Sequence, residues 1–483
     1  MKTARIAIAC LSVAAMAIGC SLSGLSGGGE GAPPPAEAGD ANPNVPDGAT
    51  TVLPDGATVA CGAVGEACCA GDACSAGTMC SAAKVCAPCG GVGQQCCASG
   101  ESCQSALQCQ ANACVKGCAA RVGSGDDHTC VVRTDGTLLC WGANGSGQLG
   151  IGLVDGKAHL VPTEVTTVKN VADIAGSDQN TCVVLKDGAL WCWGNNYSGS
   201  LGLGASDSNP HPAPVQVPGM GGSVESSAAY VHTCARRTDL SIWCWGNNGA
   251  GQVGNGASGA PVPTPFRVMF ASSPLNVTAL AAGNAHTCAV RTDGAAFCWG
   301  YNSVGQIGDG FSGVPPRTTP VPVVSSGVAF TKLAAGTDHT CGISTAGAIY
   351  CWGSNGSGQL GIGAVPTSAS SATLVPGLTA VKISAASSRT CAIRSSDSAL
   401  LCWGSNTTGA LGDGTTTPRS APTPVQTIKN VKDVAVGQSH VCAVDGDGWV
   451  WCWGRNTAGQ LGIDATDALS HSKPERVKLA CPP

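Results

Sequence analysis

The tripeptide Cys-Trp-Gly occurs seven times in this chain, starting at Cys140, Cys192, Cys244, Cys298, Cys351, Cys402 and Cys452. The intervals between the tryptophans, Trp141 to Trp453, are 52, 52, 54, 53, 51 and 50 residues. A period near fifty means one supersecondary unit stacked repeatedly, because a unit that small cannot bury its apolar face alone. Any fold proposed for this chain must therefore be an array.

Each repeat reads as a set of short strands. In the first, residues 130–133 and 137–140 alternate around Thr134-Asp135-Gly136, a hairpin signal. A three-residue loop puts Cys130 opposite Cys140, close enough for a cross-strand disulfide. The same spacing recurs at Cys182/Cys192, Cys234/Cys244, Cys288/Cys298, Cys341/Cys351 and Cys442/Cys452, with one extra residue in Cys391/Cys402. After Cys-Trp-Gly come an Asn and a Gly-Gln-Leu-Gly or close variant, such as Asn144 with residues 147–150. Its glycines suit tight turns, and its Leu suits an inter-blade core. A Pro-x-x-Val stretch follows at residues 162–165, 214–217, 265–268, 320–323, 422–425 and 474–477. Proline belongs on an edge strand, so this is the expected outer strand. The fifth repeat departs, with Leu374-Val375 and no Pro in register. Each unit of about fifty residues thus supplies four short strands, the blade of an all-β propeller.

The order Gly-x-x-His-Thr, Asp-Gly, Trp-Gly-x-Asn and Gly-Gln-Leu-Gly resembles the regulator-of-chromosome-condensation repeat family. The resemblance implies a seven-bladed propeller over residues 118–481. Trp-Gly in place of Trp-Asp excludes WD40 repeats, and no double-Gly pattern points to kelch. Paired cysteines depart from the intracellular members and fit an oxidising compartment. The chain enters with an inner strand and leaves with 474–477, so the C-terminal strand is expected to complete the first blade. Cys118 and Cys481 then meet at the adjoining ends. The count supports a bond between them: of 30 cysteines, Cys10 and Cys20 leave 28, twelve sit in two small modules, and fourteen in the blades.

Upstream lie four further segments. Residues 1–19 carry Lys2 and Arg5 before an apolar stretch, 6–19, too short to span a bilayer comfortably and suited to a signal peptide. The stretch ends in Ala17-Ile18-Gly19-Cys20, which resembles a bacterial lipobox and implies a lipid anchor on Cys20. Ser21 by the same kind of resemblance points to the outer membrane or cell surface of a bacterial envelope. The alternative is an ordinary cleaved signal and a secreted protein. Residues 20–60 are rich in Gly, Ser, Pro and Ala and read as a flexible tether. Residues 61–86 and 89–114 are two six-cysteine modules, too small for a core without disulfides. Their cysteine order resembles cystine-knot miniproteins, which implies pairing of first with fourth, second with fifth and third with sixth; spacing alone leaves fifteen pairings open. With no CxxC and no His in either module, zinc is disfavoured. They read as rigid spacers.

Charged residues are 11% of the chain and the formal net charge is −5. There is no basic cluster, so nucleic acid is excluded as an expected partner, and membrane contact is expected through the lipid alone. A His precedes the first blade cysteine at His128, His232, His286, His339 and His440, with Asn180 and Arg389 in the remaining two repeats. One ligand per blade is too dispersed for one metal ion, so each His is expected to cap its own blade's turn. Trp191, Trp243, Trp449 and Trp451 add Trp-x-Trp pairs and read as core between blades, or as a hot spot if exposed. No catalytic triad, phosphate loop or paired carboxylate stands out, so neither catalysis nor a cofactor or metal is expected.

The expected function is a monomeric, surface-anchored, non-enzymatic scaffold binding a protein or glycan. The variable segments 155–162, 204–214, 255–265, 309–320, 363–374 and 413–422 are its specificity loops. An inhibitor-like propeller covering a target enzyme is the alternative, with Phe311 and Phe266 the aromatics near those loops. A third reading, nucleotide exchange by family analogy, is disfavoured because export separates this chain from a cytosolic GTPase.

Overall fold

A computed structural model describes residues 113–481 except Val314, together with the short strands Thr50–Val52, Thr58–Ala60, Thr78–Cys80, Cys86–Pro88 and Gln108–Gln110. The signal segment, Cys20 and most of both cysteine modules lie outside the described residues. Within the modules the backbone registers set Cys80 opposite Cys86 and Cys109 opposite Cys114.

From residue 119 the chain forms seven four-stranded antiparallel blades, each a meander from an innermost to an outermost strand. The first blade is Ala119–Ser124, His128–Arg133, Leu138–Gly142 and His159–Glu164. The seventh is Asp433–Val436, His440–Val444, Val450–Asn456 and Asp467–Arg476. No α-helix occurs among the described residues.

The second and third strands face each other with Cys130 opposite Cys140, and the same register recurs in all seven blades. Each of those seven pairs is bonded, with Cα atoms 4.1 Å apart. The eight disulfides among the described residues, counting Cys118–Cys481, belong to a protein matured in an oxidising, extracytoplasmic setting.

Packing between blades follows one rule. The disulfide of each blade lies in one apolar cluster with the Cys-Trp-Gly tryptophan of the next: Cys130 and Cys140 with Trp193, Cys182 and Cys192 with Trp245, and so on round to Cys442 and Cys452 with Trp141. All seven tryptophans are fully buried. So is the aliphatic residue of each Gly-Gln-Leu-Gly turn, from Leu149 to Leu461. The turn of one blade sits on the tryptophan of the next so closely that a Cβ at Gly150 would lie 2.6 Å from Trp193 Nε1. With φ at +73°, that position needs glycine for both reasons. Trp191, Trp243 and Trp451 pack against the same inter-blade clusters and Trp449 is buried, so the extra tryptophans are core.

In the strands, the structure departs from the sequence reading at two places. The C-terminal strand does not complete the first blade; Asp467–Arg476 pairs with Val450–Asn456 and completes the seventh. The physical reason is the loop before each outer strand. It reaches over the neighbouring blade, as in Gly152 N donating to Pro212 O, and then returns, so every blade is built from one contiguous stretch. The second difference is in the fifth repeat, where no Pro stands in register. There Ser368–Ala386 runs unbroken, pairing first with blade five and then with blade six, and fuses the two into one seven-stranded sheet.

Candidate functional site

In an antiparallel meander, alternate turns emerge on opposite faces. The turns after the first and third strands of each blade share one face, called here the loop face. The turns after the second strand and the links between blades share the other, the entry face. Cys118 and Cys481 lie on the entry face, where Ala119 N donates to Gly448 O at 3.0 Å and Arg133 donates to Ala480 O. The chain therefore joins the propeller on the face opposite the loops.

At the loop face the histidines lie at the edge of a central channel and tie blades together. His128 Nε2 meets Thr181 Oγ1 of the next blade at 2.8 Å, and Thr181 donates to Gln148 O of the first blade's turn. Trp193 Nε1 donates to the same carbonyl. The set recurs at His232/Thr287, His286/Thr340, His339/Thr390 and His440/Thr129. Each Thr proton is spent on a carbonyl, so each His must donate from Nε2. No protein group donates to the five Nδ1 atoms. These histidines do not cap their own turns; they latch the next blade. Of the two replacements, Asn180 donates to Ser200 Oγ although Thr233 is in place, whereas Arg389 obeys the same logic. Blade seven has Val441 where the others have Thr, so a His in blade six would lack its partner. Arg389 stands there and donates to the Gly437 and Gln438 carbonyls instead. Burial lowers all five histidines, to about 4 for His128 and His286 and about 3 for His232, His339 and His440. Among the described residues no group of three or more His, Cys, Asp or Glu is placed to hold a metal.

The channel mouth on this face is a cavity of about 320 Å³ lined by the ends of all seven inner strands. Its walls are mostly Gly, Ala and Ser, with Asp126, Asp178, Tyr230, Asn284, Thr337 and Gln438 as its larger polar groups. Burial, then Asp178, pushes Asp126 up to about 8, and burial raises Asp178 too. Deeper, the channel carries ion pairs between blades: Arg121 with Asp173 at 2.5 Å, and Lys382 with Asp433. Asp433 Oδ2 also accepts Val122 N across the closing seam at 3.0 Å.

The outer loops are pinned at their bases. Asn144 donates to Leu153 O and Asp155 and accepts Leu149 N, and an Asn in every blade does the same kind of work. Four aromatics are open to solvent: Tyr197 (74% exposed), Phe311 (59%) and Tyr301 (41%) on or beside these pinned loops, and Tyr230 (48%) on the inner turn of blade three at the channel mouth. All four are on the loop face, on blades two, three and four, which are consecutive. Phe311 lies in a segment marked by length variation; the three tyrosines lie outside those segments and were not singled out from the sequence. Phe266 is not part of this surface, being packed against the blade-three core.

The RCC1-like domain matches residues 228–481, and the regulator of chromosome condensation (RCC1) repeat matches residues 135–184 and 187–236. The chain belongs to the RCC1 repeat family. The ultraviolet-B receptor UVR8 of Arabidopsis thaliana is 29% identical over 249 residues, covering 50% of this chain and 54% of the receptor. The probable E3 ubiquitin-protein ligase HERC6 of Homo sapiens is 27% identical over 249 residues, covering 51% of this chain and 24% of the ligase. The chain thus spans about half or less of the length of these relatives. Among solved structures, yeast RCC1 (Prp20) bound to Kap60 superposes with a TM-score of 0.63 at 20% identity, covering 72% of this chain and 84% of that one. Human WBSCR16 gives 0.62 at 19%, covering 71% and 94%. At such identities these RCC1-repeat likenesses speak for the fold alone.

Proposed function

We propose that this RCC1-repeat protein is a non-enzymatic binding scaffold that recognises a protein or glycan through its loop face, held from a bacterial envelope by a lipid on Cys20. One observation carries the reading. The four most solvent-exposed aromatic side chains open on a single face, and the chain enters from the other, so an anchored molecule turns its aromatic sector outward. Tyrosine and phenylalanine on a pinned backbone give contact area at low entropic cost, as interface hot spots require. The same sector suits the second reading, a propeller that covers a target enzyme; the tyrosines supply anchors that Phe311 alone would not.

Replacing Tyr197, Tyr230, Tyr301 and Phe311 together with Ser should leave the fold intact, since none is core. Capture from envelope and culture extracts on the immobilised mature protein should then lose a stoichiometric partner by at least tenfold relative to the unchanged chain. Equal capture by both would sink the loop-face reading, and inhibition of a captured enzyme would favour the second. Anchoring is tested separately: Cys20→Ala should move the protein from the membrane fraction to the soluble fraction. Its retention with membranes would remove the lipid from the proposal.

A further inference from the structure

The two faces differ in charge as well as in aromatic content. The turns between first and second and between third and fourth strands carry nine aspartates and a single cation, Lys157. The entry-face turns and links carry seven aspartates and four lysines, and arginines at the strand ends neutralise several of these, as in Arg133–Asp135, Arg291–Asp293 and Arg394–Asp397. The acidic excess on the loop face is therefore not an even coating. At its rim Asp155, Asp207, Asp309 and Asp413 are engaged by His159, His211, Arg317 and Arg419 of their own blades. At the channel mouth Asp126 and Asp178 have no such cation and instead crowd one another. Tyr230 stands beside them: Asp178, followed by burial and Asp126, raises its hydroxyl.

We infer that the loop face docks a lysine- or arginine-rich protein segment, one cationic side chain entering the mouth between Asp126, Asp178 and Tyr230 while its neighbours lie across Tyr197, Tyr301 and Phe311. The inference rests on the proposed binding role of that face and adds the partner's chemistry. A guanidinium there would displace the proton that the crowded Asp126–Asp178 pair holds, gain charge-assisted hydrogen bonds to both carboxylates so freed, and meet an aromatic ring for a cation–π contact. The cavity of about 320 Å³ has room for the end of one long side chain but not for a folded element. The arrangement disfavours the opposite class of partner, since an acidic segment would meet a face whose turns carry nine aspartates against Lys157.

The test uses the full mature chain with disulfides intact and fluorescein-labelled nona-arginine, read by anisotropy at two salt concentrations. Nona-glutamate and a neutral maltooligosaccharide serve as the contrasting probes. Nona-arginine should bind, and nona-glutamate should not. Asp126→Asn/Asp178→Asn should weaken binding at least tenfold, and Tyr197→Ala/Tyr230→Ala/Tyr301→Ala by a similar factor. The entry-face pair Asp187→Asn/Asp239→Asn should change it less than twofold. Circular dichroism and the melting temperature report whether each variant is folded. No binding of nona-arginine, equal losses from variants on both faces, or preference for the oligosaccharide would overturn the inference. If extract capture still depends on the aromatic sector while nona-arginine fails, the face binds and only the partner's chemistry is wrong.

Discussion

Lowering the pH from 7 to 5 should strip this propeller of several kcal/mol of stability, with net proton uptake on unfolding. The groups responsible are the five inter-blade histidines. Burial holds them at about 3 to 4 in the folded state, against an ordinary value of 6.5. Their folded form is neutral, so the stability they allow is complete above pH 6.5 and is lost as the pH falls towards their folded values. Each contributes a slope approaching about 1.4 kcal/mol per pH unit once the unfolded chain is protonated. Five together would remove on the order of 10 kcal/mol by pH 5 if independent. Asp126 opposes them: raised to about 8, it binds its proton in the folded state and gains stability over the same fall. That offset is at most about 3 kcal/mol. Asp173, Asp178, Asp338 and Glu225 are also raised, by burial first, and oppose the histidines at the acid end. The net loss is therefore expected at about 2–7 kcal/mol between pH 7 and 5. Urea midpoints measured across this range decide it. His286→Gln, whose amide can still donate to Thr340, should lower the slope by close to one proton. A stability curve flat from pH 7 to 5 would mean the histidines are not held neutral by the fold.

That prediction rests on contacts which no single repeat displays. Within a blade the sequence was legible, because hairpin length, turn residues and a ten-residue cysteine spacing act over a dozen positions. The register of Cys130 on Cys140 and the exception at Cys391/Cys402 follow from such local rules. The latch from His128 to Thr181 spans 53 residues and depends on how one blade leans on the next. Its trace was nevertheless present in the chain: Arg389 replaces His in the blade that precedes Val441, where the threonine is missing. The blade that the terminal strand closes is hidden from the sequence for a related reason. Pro-x-x-Val marks an outer strand but does not say which blade it closes, and only the loop's return path decides that. The aromatic sector was missed because Tyr197, Tyr230 and Tyr301 sit among the regular turn residues rather than in the segments of varying length. Sorting turns by face needs only strand order and parity, so the charge difference between faces was accessible once the four-strand unit was established.

The contiguous build of each blade makes the seam between blades seven and one unlike the other six. At six seams a peptide link joins the outer strand of one blade to the inner strand of the next. At the closing seam there is none, and Cys118–Cys481, across 363 residues, is the covalent tie that stands in its place. The non-covalent contacts of that seam are of the usual kind: Trp141 Nε1 and Thr129 Oγ1 both donate to Gln460 O at 2.9 Å, and Gln460 donates to Asp127. Cys118→Ser/Cys481→Ser should therefore lose more stability than any one blade disulfide. The chain-entropy model gives about 5–6 kcal/mol for a loop of this length and about 2–3 kcal/mol for a ten-residue hairpin. The clasp variant should melt several degrees below Cys182→Ala/Cys192→Ala, in which the rest of the ring stays tied. Hydrogen exchange locates the effect. In the clasp variant the amides of Ala119 and Val122, which donate to Gly448 O and Asp433, should lose protection first, because no chain link then restrains this seam and it can open without another blade moving. If both variants melt together, or if exchange begins elsewhere, closure is carried by the tryptophan and threonine contacts and the disulfide is incidental to it.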